Sequence, residues 1–76
     1  MDEIMQAPKY SRIMVIDDTY VDRYIAEYSL RKFNIAGEII CKESATDGLA
    51  YLEQYAAEPE KLPEIILLDI RMPGMD

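Results

Sequence analysis

The sequence predicts an α/β fold with a parallel sheet and the element order β-α-β-α-β. Three observations point to it. Two short runs, Ile13-Met14-Val15-Ile16 and Ile65-Ile66-Leu67-Leu68, are wholly apolar, as strands buried on both faces of a parallel sheet are. Between the apolar runs lie stretches whose hydrophobic residues recur at helical spacing. The connections are short, so consecutive strands join through crossover helices of right-handed sense.

The elements follow in order. Residues 1–11 form a polar lead-in broken by Pro8. The first strand covers about residues 12–16 and runs into Asp17-Asp18. Thr19 can cap the first helix, and Asp22 three positions on completes a T-x-x-D box. That helix extends over about residues 20–33, with Val21, Tyr24, Ile25 and Tyr28 on one face. It is broken in the stretch 34–37, which holds Asn34 and Gly37. Ile39-Ile40-Cys41 forms a short second strand. Ser44 or Thr46 caps a second helix, whose Leu49, Leu52 and Ala56 fall on one side. The Pro-containing stretch 58–63 is a loop, and the third strand then ends in Asp69. Neither an internal repeat nor a low-complexity segment interrupts this order.

Composition excludes several function classes. The 76 residues suffice for one small domain at most, and with 50% of them hydrophobic a packed core is expected. A net charge of −7 argues against direct contact with nucleic acid or an anionic membrane surface. No apolar run reaches the length of a membrane span, and residues 1–11 lack the pattern of a signal peptide, so a cytoplasmic location is expected. With no histidine, imidazole catalysis is excluded. Cys41 is the single cysteine and reads as a small apolar strand residue rather than a redox sensor.

The acids at the strand ends carry the chemistry. Ligands of open parallel sheets bind at the carboxyl ends of the strands. Asp17, Asp18 and Asp69 converge there in this topology, and their mutual repulsion calls for a divalent cation. A plainer reading also exists: Asp17-Asp18 ends a strand and caps a helix. Arg71 reads as a solvated side chain, and Glu53, Glu58, Glu60 and Glu64 as solvated surface.

Three stretches resemble the N-terminal portion of a response-regulator receiver domain, the phospho-acceptor module of two-component signalling. Ile16-Asp17-Asp18 resembles the family's acidic pair. Residues 45–52, Ala-Thr-Asp-Gly-Leu-Ala-Tyr-Leu, resemble its A-x-x-G-x-x-A-L helix. Residues 67–76, with Asp69 and Met72-Pro73-Gly74-Met75-Asp76, resemble the phospho-acceptor strand and its M-P-x-M-D turn. The resemblance runs from Arg12 to Asp76. It implies a flavodoxin-like, doubly wound parallel sheet, here incomplete, with strand order 2-1-3 of the full 2-1-3-4-5. It makes residues 12–76 a truncated receiver.

The resemblance also implies roles. Asp69 is the aspartate that takes a phosphoryl group from a sensor histidine kinase or phosphotransfer protein. Mg²⁺ is bound by Asp18, by Asp17 directly or through water, by Asp69 and by the backbone carbonyl of Arg71. Such a module is a phosphorelay switch rather than an enzyme. Thr19 stands where many receivers carry a further acid. Within the sequence, no residue matches the family's switch Ser/Thr or its phosphoryl-contacting Lys; Lys61 precedes the third strand and Thr46 belongs to the second helix.

Two other functions compete with this one. An interaction module without phosphoryl chemistry suits a segment lacking that Lys and Ser/Thr. An aspartate-nucleophile phosphohydrolase requires an acid two residues after Asp69, where Arg71 stands. The resemblance further implies that the third strand is an edge and that the 76 residues are not a self-sufficient monomer. Either they are part of a longer protein, the simpler explanation, or a second copy covers that edge. Tyr20, Tyr24 and Tyr28, spaced four apart, read as a flank of the core. Because a receiver's last helix packs beside this one, the same stripe stands open, or under another chain, where that helix is missing.

Overall fold

The computed structural model describes residues 6–69. The Met72-Pro73-Gly74-Met75-Asp76 turn and Arg71 lie outside the described residues. The elements are β1 (Tyr10–Ile16), α1 (Tyr20–Lys32), β2 (Ala36–Lys42), α2 (Ala45–Gln54), a 3-10 turn at Pro59–Lys61, and β3 (Ile65–Leu68). All the strand pairs are parallel, and the order is β2-β1-β3. This is the incomplete flavodoxin-like arrangement that the sequence predicts.

β1 begins two residues before the predicted Arg12. The Tyr10 N–H donates to the Ile35 carbonyl at 2.8 Å, and Tyr10 registers with Ala36. The partner strand supplies these bonds, so a polar Ser11-Arg12 pair does not prevent strand formation. β2 is likewise longer than its apolar Ile39-Ile40-Cys41 segment. Arg12, on the central strand, also ties β1 to β2 and to the segment ahead of β3. Its Nε lies 2.7 Å from Glu38 Oε1, and its Nη1 donates to the Glu60 carbonyl.

α1 is closed off by Asn34, just past its C-cap Phe33, in a left-handed conformation with φ 54°. The Ile35 N–H donates to the Leu30 carbonyl at 2.9 Å, and the Asn34 N–H to the Arg31 carbonyl at 3.0 Å. This pair of bonds, with Leu30 and Ile35 in the same apolar cluster, is a Schellman closure. The break predicted over 34–37 is therefore made by Asn34. Gly37 already lies within β2, where a side chain would crowd Pro8 and the Ser11 carbonyl.

The core is built on the two faces of β1. Ile13 and Val15 join Leu30 and Ala36, flanked by Ala26, Ile39, Cys41 and Ile65. Met14 and Ile16 face α2 instead. There Gly48 is buried, and a Cβ on it would lie 2.6 Å from Ile16 Cδ1 and 3.4 Å from Met14 Sδ. Ser44 caps α2 by accepting from the Asp47 N–H at 3.1 Å, which settles the choice between Ser44 and Thr46.

Three expectations are corrected. The stripe Tyr20, Tyr24 and Tyr28 is not a flank of the core and stands open, as the alternative reading has it; Tyr24 is 58% exposed and Tyr28 55%. α1 meets the sheet through Ala26 and Leu30, four apart on another side of the helix. Leu49 and Ala56 also point to solvent, since Gly48 is the point at which α2 touches β1. β3 is not buried on both faces: Ile66, Leu67 and Leu68 are exposed, because β3 is an edge of the described sheet.

Cys41 sits half-buried on β2, with its Sγ 3.6 Å from Glu27 Oε1. Burial pushes its thiol above the ordinary value of 9.0; the Glu27 charge and hydrogen bond add to this, and Arg23 and Arg31 oppose it. A thiol held protonated is a poor nucleophile.

Two predictions follow from this packing. Ile16→Val removes the Cδ1 atom that a Cβ at position 48 would strike. In urea unfolding, Gly48→Ala should be less damaging in an Ile16→Val background than alone, a favourable coupling of about 0.5–3 kcal/mol. Strict additivity would show that the close approach does not limit α2. In thiol labelling across pH, the Cys41 reaction should reach its midpoint above pH 9.0, and Glu27→Gln should move that midpoint down.

Candidate functional site

Register brings the acids together. Ile16 pairs with Lys42 of β2 and with Leu68 of β3. The next residue on β1 is Asp17 and the next on β3 is Asp69, so both leave the sheet at the same level. The ladder continues into them: the Asp17 N–H donates to the Lys42 carbonyl at 3.1 Å, and the Asp69 N–H to the Ile16 carbonyl at 3.0 Å. Asp18, one residue on, turns to the same side. One carboxylate oxygen from each of Asp17, Asp18 and Asp69 lies within 4.8 Å of the others. Asp17 and Asp69 are half-buried, and Asp18 is exposed.

Around the acids is a cleft of about 240 Å³. The β1–α1 loop supplies Asp17 and Asp18, the β2–α2 loop and the start of α2 supply Glu43, Ser44 and Ala45, and the end of β3 supplies Leu68 and the Asp69 that follows it. Glu43 adds a further acid to its rim. Hard oxygen donors gathered in this way suit Mg²⁺, which prefers carboxylates and carbonyls and retains several waters. Asp17, Asp18 and Asp69 are the described residues that could hold it. The backbone carbonyl of Arg71, the remaining ligand that the resemblance implies, lies outside the described residues.

Two residues shape the site in ways their types did not announce. Thr19 occupies the N-cap of α1 but makes no side-chain cap bond, so the T-x-x-D box does not form. Its N–H instead donates to Asp17 Oδ1 at 2.9 Å, and its hydroxyl to Asp18 Oδ1 at 3.2 Å. A residue expected to close a helix thus orients both carboxylates. Arg23 donates from Nη1 to the Asp17 main-chain carbonyl at 2.7 Å. Its position one turn into α1 was legible in the sequence, but a backbone contact leaves no signal there.

The chain is similar to two curated proteins, each named "Probable transcriptional regulatory protein NarL", from the Mycobacterium tuberculosis strains CDC 1551 / Oshkosh and ATCC 25618 / H37Rv. Identity is 39% over 69 residues in both cases, covering 91% of this chain and 29% of the relative. The chain therefore spans less than a third of the length of the curated relatives it matches. No family model and no solved structure matches it. Motifs, strand order and matched relatives agree: the chain resembles the N-terminal portion of a response-regulator receiver. At the coarse level this supports a two-component signalling module. Among the described residues, no helix is long and apolar enough to cross a membrane.

Proposed function

From that similarity, we propose that the chain acts as the phospho-acceptor part of a receiver, with Asp69 as the residue modified. The observation that carries the reading is the convergence of three carboxylates to within 4.8 Å at the carboxyl end of a parallel sheet. Residues 12–76 are taken as the receiver portion and 1–11 as its lead-in.

A carboxylate oxygen of Asp69 attacks the phosphorus of a phosphohistidine on a sensor kinase or phosphotransfer protein. The new bond is O–P, the bond that breaks is N–P, and the departing imidazole takes up a proton. Asp69 is half-buried at a strand end, so it is fixed in direction yet open to a donor. Asp17, Asp18, Asp69 and the Arg71 carbonyl would hold Mg²⁺, which when bound offsets the charge of the carboxylates and of the incoming phosphoryl oxygens. Phosphorylation then changes the charge at one loop cluster, and a neighbouring two-state element reads it. Pairing of a second copy along the exposed β3 edge belongs to the same proposal.

The test uses the intact protein with Mg²⁺ and acetyl phosphate, read by intact mass. Wild type should gain the mass of one phosphoryl group, and Asp69→Asn should gain none. An adduct that survives Asp69→Asn, or its absence in wild type, would overturn the assignment. A calorimetric titration with Mg²⁺ checks the metal ligands separately. Asp17→Asn and Asp18→Asn should each weaken binding by at least about 10-fold, the scale on which even outer-shell losses are felt.

A further inference from the structure

We infer that Arg23 is a positioning residue for the acidic site: its guanidinium holds the main chain at Asp17 and thereby sets the affinity of the carboxylate cluster for a divalent cation. The inference rests on the reading of that cluster as a Mg²⁺ site.

The geometry is specific. The Arg23 side chain is only 14% exposed. Nη1 donates to the Asp17 carbonyl at 2.7 Å, Nη2 lies 3.9 Å from Glu43 Oε2, and the guanidinium carbon stands 5.7 Å from the centre of the Tyr20 ring. One planar group therefore reaches from α1 to the β1–α1 loop and across to the β2–α2 loop. These are two of the three segments that line the acidic cleft. A guanidinium can do this because its donors are fixed in a fork; a lysine ammonium has no such fork.

The contact matters because of where Asp17 sits. Its N–H makes the last bond of the β1–β2 ladder, to the Lys42 carbonyl. Its own carbonyl is bonded by Arg23, so the peptide leading into Asp18 is pinned on both sides of the residue. The orientation of that peptide directs both the Asp17 and the Asp18 side chains. Thr19 then fixes their oxygens, through its N–H to Asp17 and its hydroxyl to Asp18. Without Arg23, a partly buried carbonyl loses a charge-assisted bond, and the loop gains other orientations.

Arg23 acts on a cation in two opposed ways. Its charge repels an arriving Mg²⁺, whereas its hydrogen bond organises the oxygens that receive it. Loss of charge alone would tighten binding, and loss of position would weaken it. The direction of the change therefore separates the two roles.

The test is calorimetric titration of Mg²⁺ into the intact protein as wild type, Arg23→Met and Arg23→Lys, with thermal unfolding followed in parallel. Arg23→Met keeps the apolar stem and removes both the charge and the donors. It should weaken Mg²⁺ binding by about 10-fold or more, the range found when outer-shell partners are lost. Arg23→Lys, which keeps the charge without the fork, should fall between the two. A lower unfolding temperature with unchanged Mg²⁺ affinity would mean a merely structural role and overturn the inference, as would Arg23→Met binding as tightly as wild type. Should Arg23→Met not fold, Arg23→Lys decides: affinity equal to wild type overturns the inference. If wild type itself binds no Mg²⁺, the reading of the acidic cluster fails, a result distinct from equal binding by wild type and variant.

Discussion

The parallel register of β1 against its two neighbours is the constraint on which the rest of this molecule depends. Ile16 is matched at once to Lys42 and Leu68, and the acids follow one residue later. Alternate residues of a strand face opposite sides of the sheet. A slip of one residue would exchange the faces on which Ile65 and its neighbours lie, and would move Asp69 by about 3.3 Å relative to Asp17. Core and site therefore share a single determinant. The Asp69 N–H to Ile16 carbonyl bond is where the two meet.

β1 serves both layers through its alternation. Ile13 and Val15 pack under α1 with Leu30 and Ala36, while Met14 and Ile16 receive α2. The two attachments differ in kind. α1 is joined by an apolar cluster closed at its end by Leu30 and Ile35. α2 is joined by close approach, with a buried Gly48 in the place of a side chain. That economy leaves large residues outside: Leu49 on α2, and the Tyr24–Tyr28 side of α1. β2 extends beyond its apolar centre because β1 supplies hydrogen-bond partners along its full length.

At the site, the acids are only part of the arrangement. Three carboxylates close together are unfavourable unless their directions and charges are managed. Thr19 and Arg23 do this from α1, one through its N–H and hydroxyl, the other through a bond to the main chain. Thr19 is the N-cap of the helix that follows β1, and Arg23 lies one turn into it. The same turn that starts the helix thus frames the cleft. On the opposite loop, Ser44 caps α2 and sets Glu43, Ser44 and Ala45 along the cleft wall.

Much of this was legible in the sequence. Apolar runs ending in acid specify strands, and Ser44 or Thr46 marks a helix start. Asp17, Asp18 and Asp69 are identified by type and by place, because in a parallel sheet strand ends are where ligands meet. Other features were not legible, for definite reasons. Periodicity located one apolar stripe on α1 but could not say whether it meets the sheet; the contact is made instead through Ala26 and Leu30, four apart on another side of the helix. Thr19 carries the signature of a cap, yet the nearby carboxylates competed successfully for its hydroxyl and N–H. Arg23 contacts a backbone carbonyl, and every residue offers one of those, so no pattern of side chains announces it. The amino-acid sequence alone determined the elements and the acids. The tertiary structure decided which faces are buried and what holds the acids in place, since both depend on distances between segments that are remote along the chain.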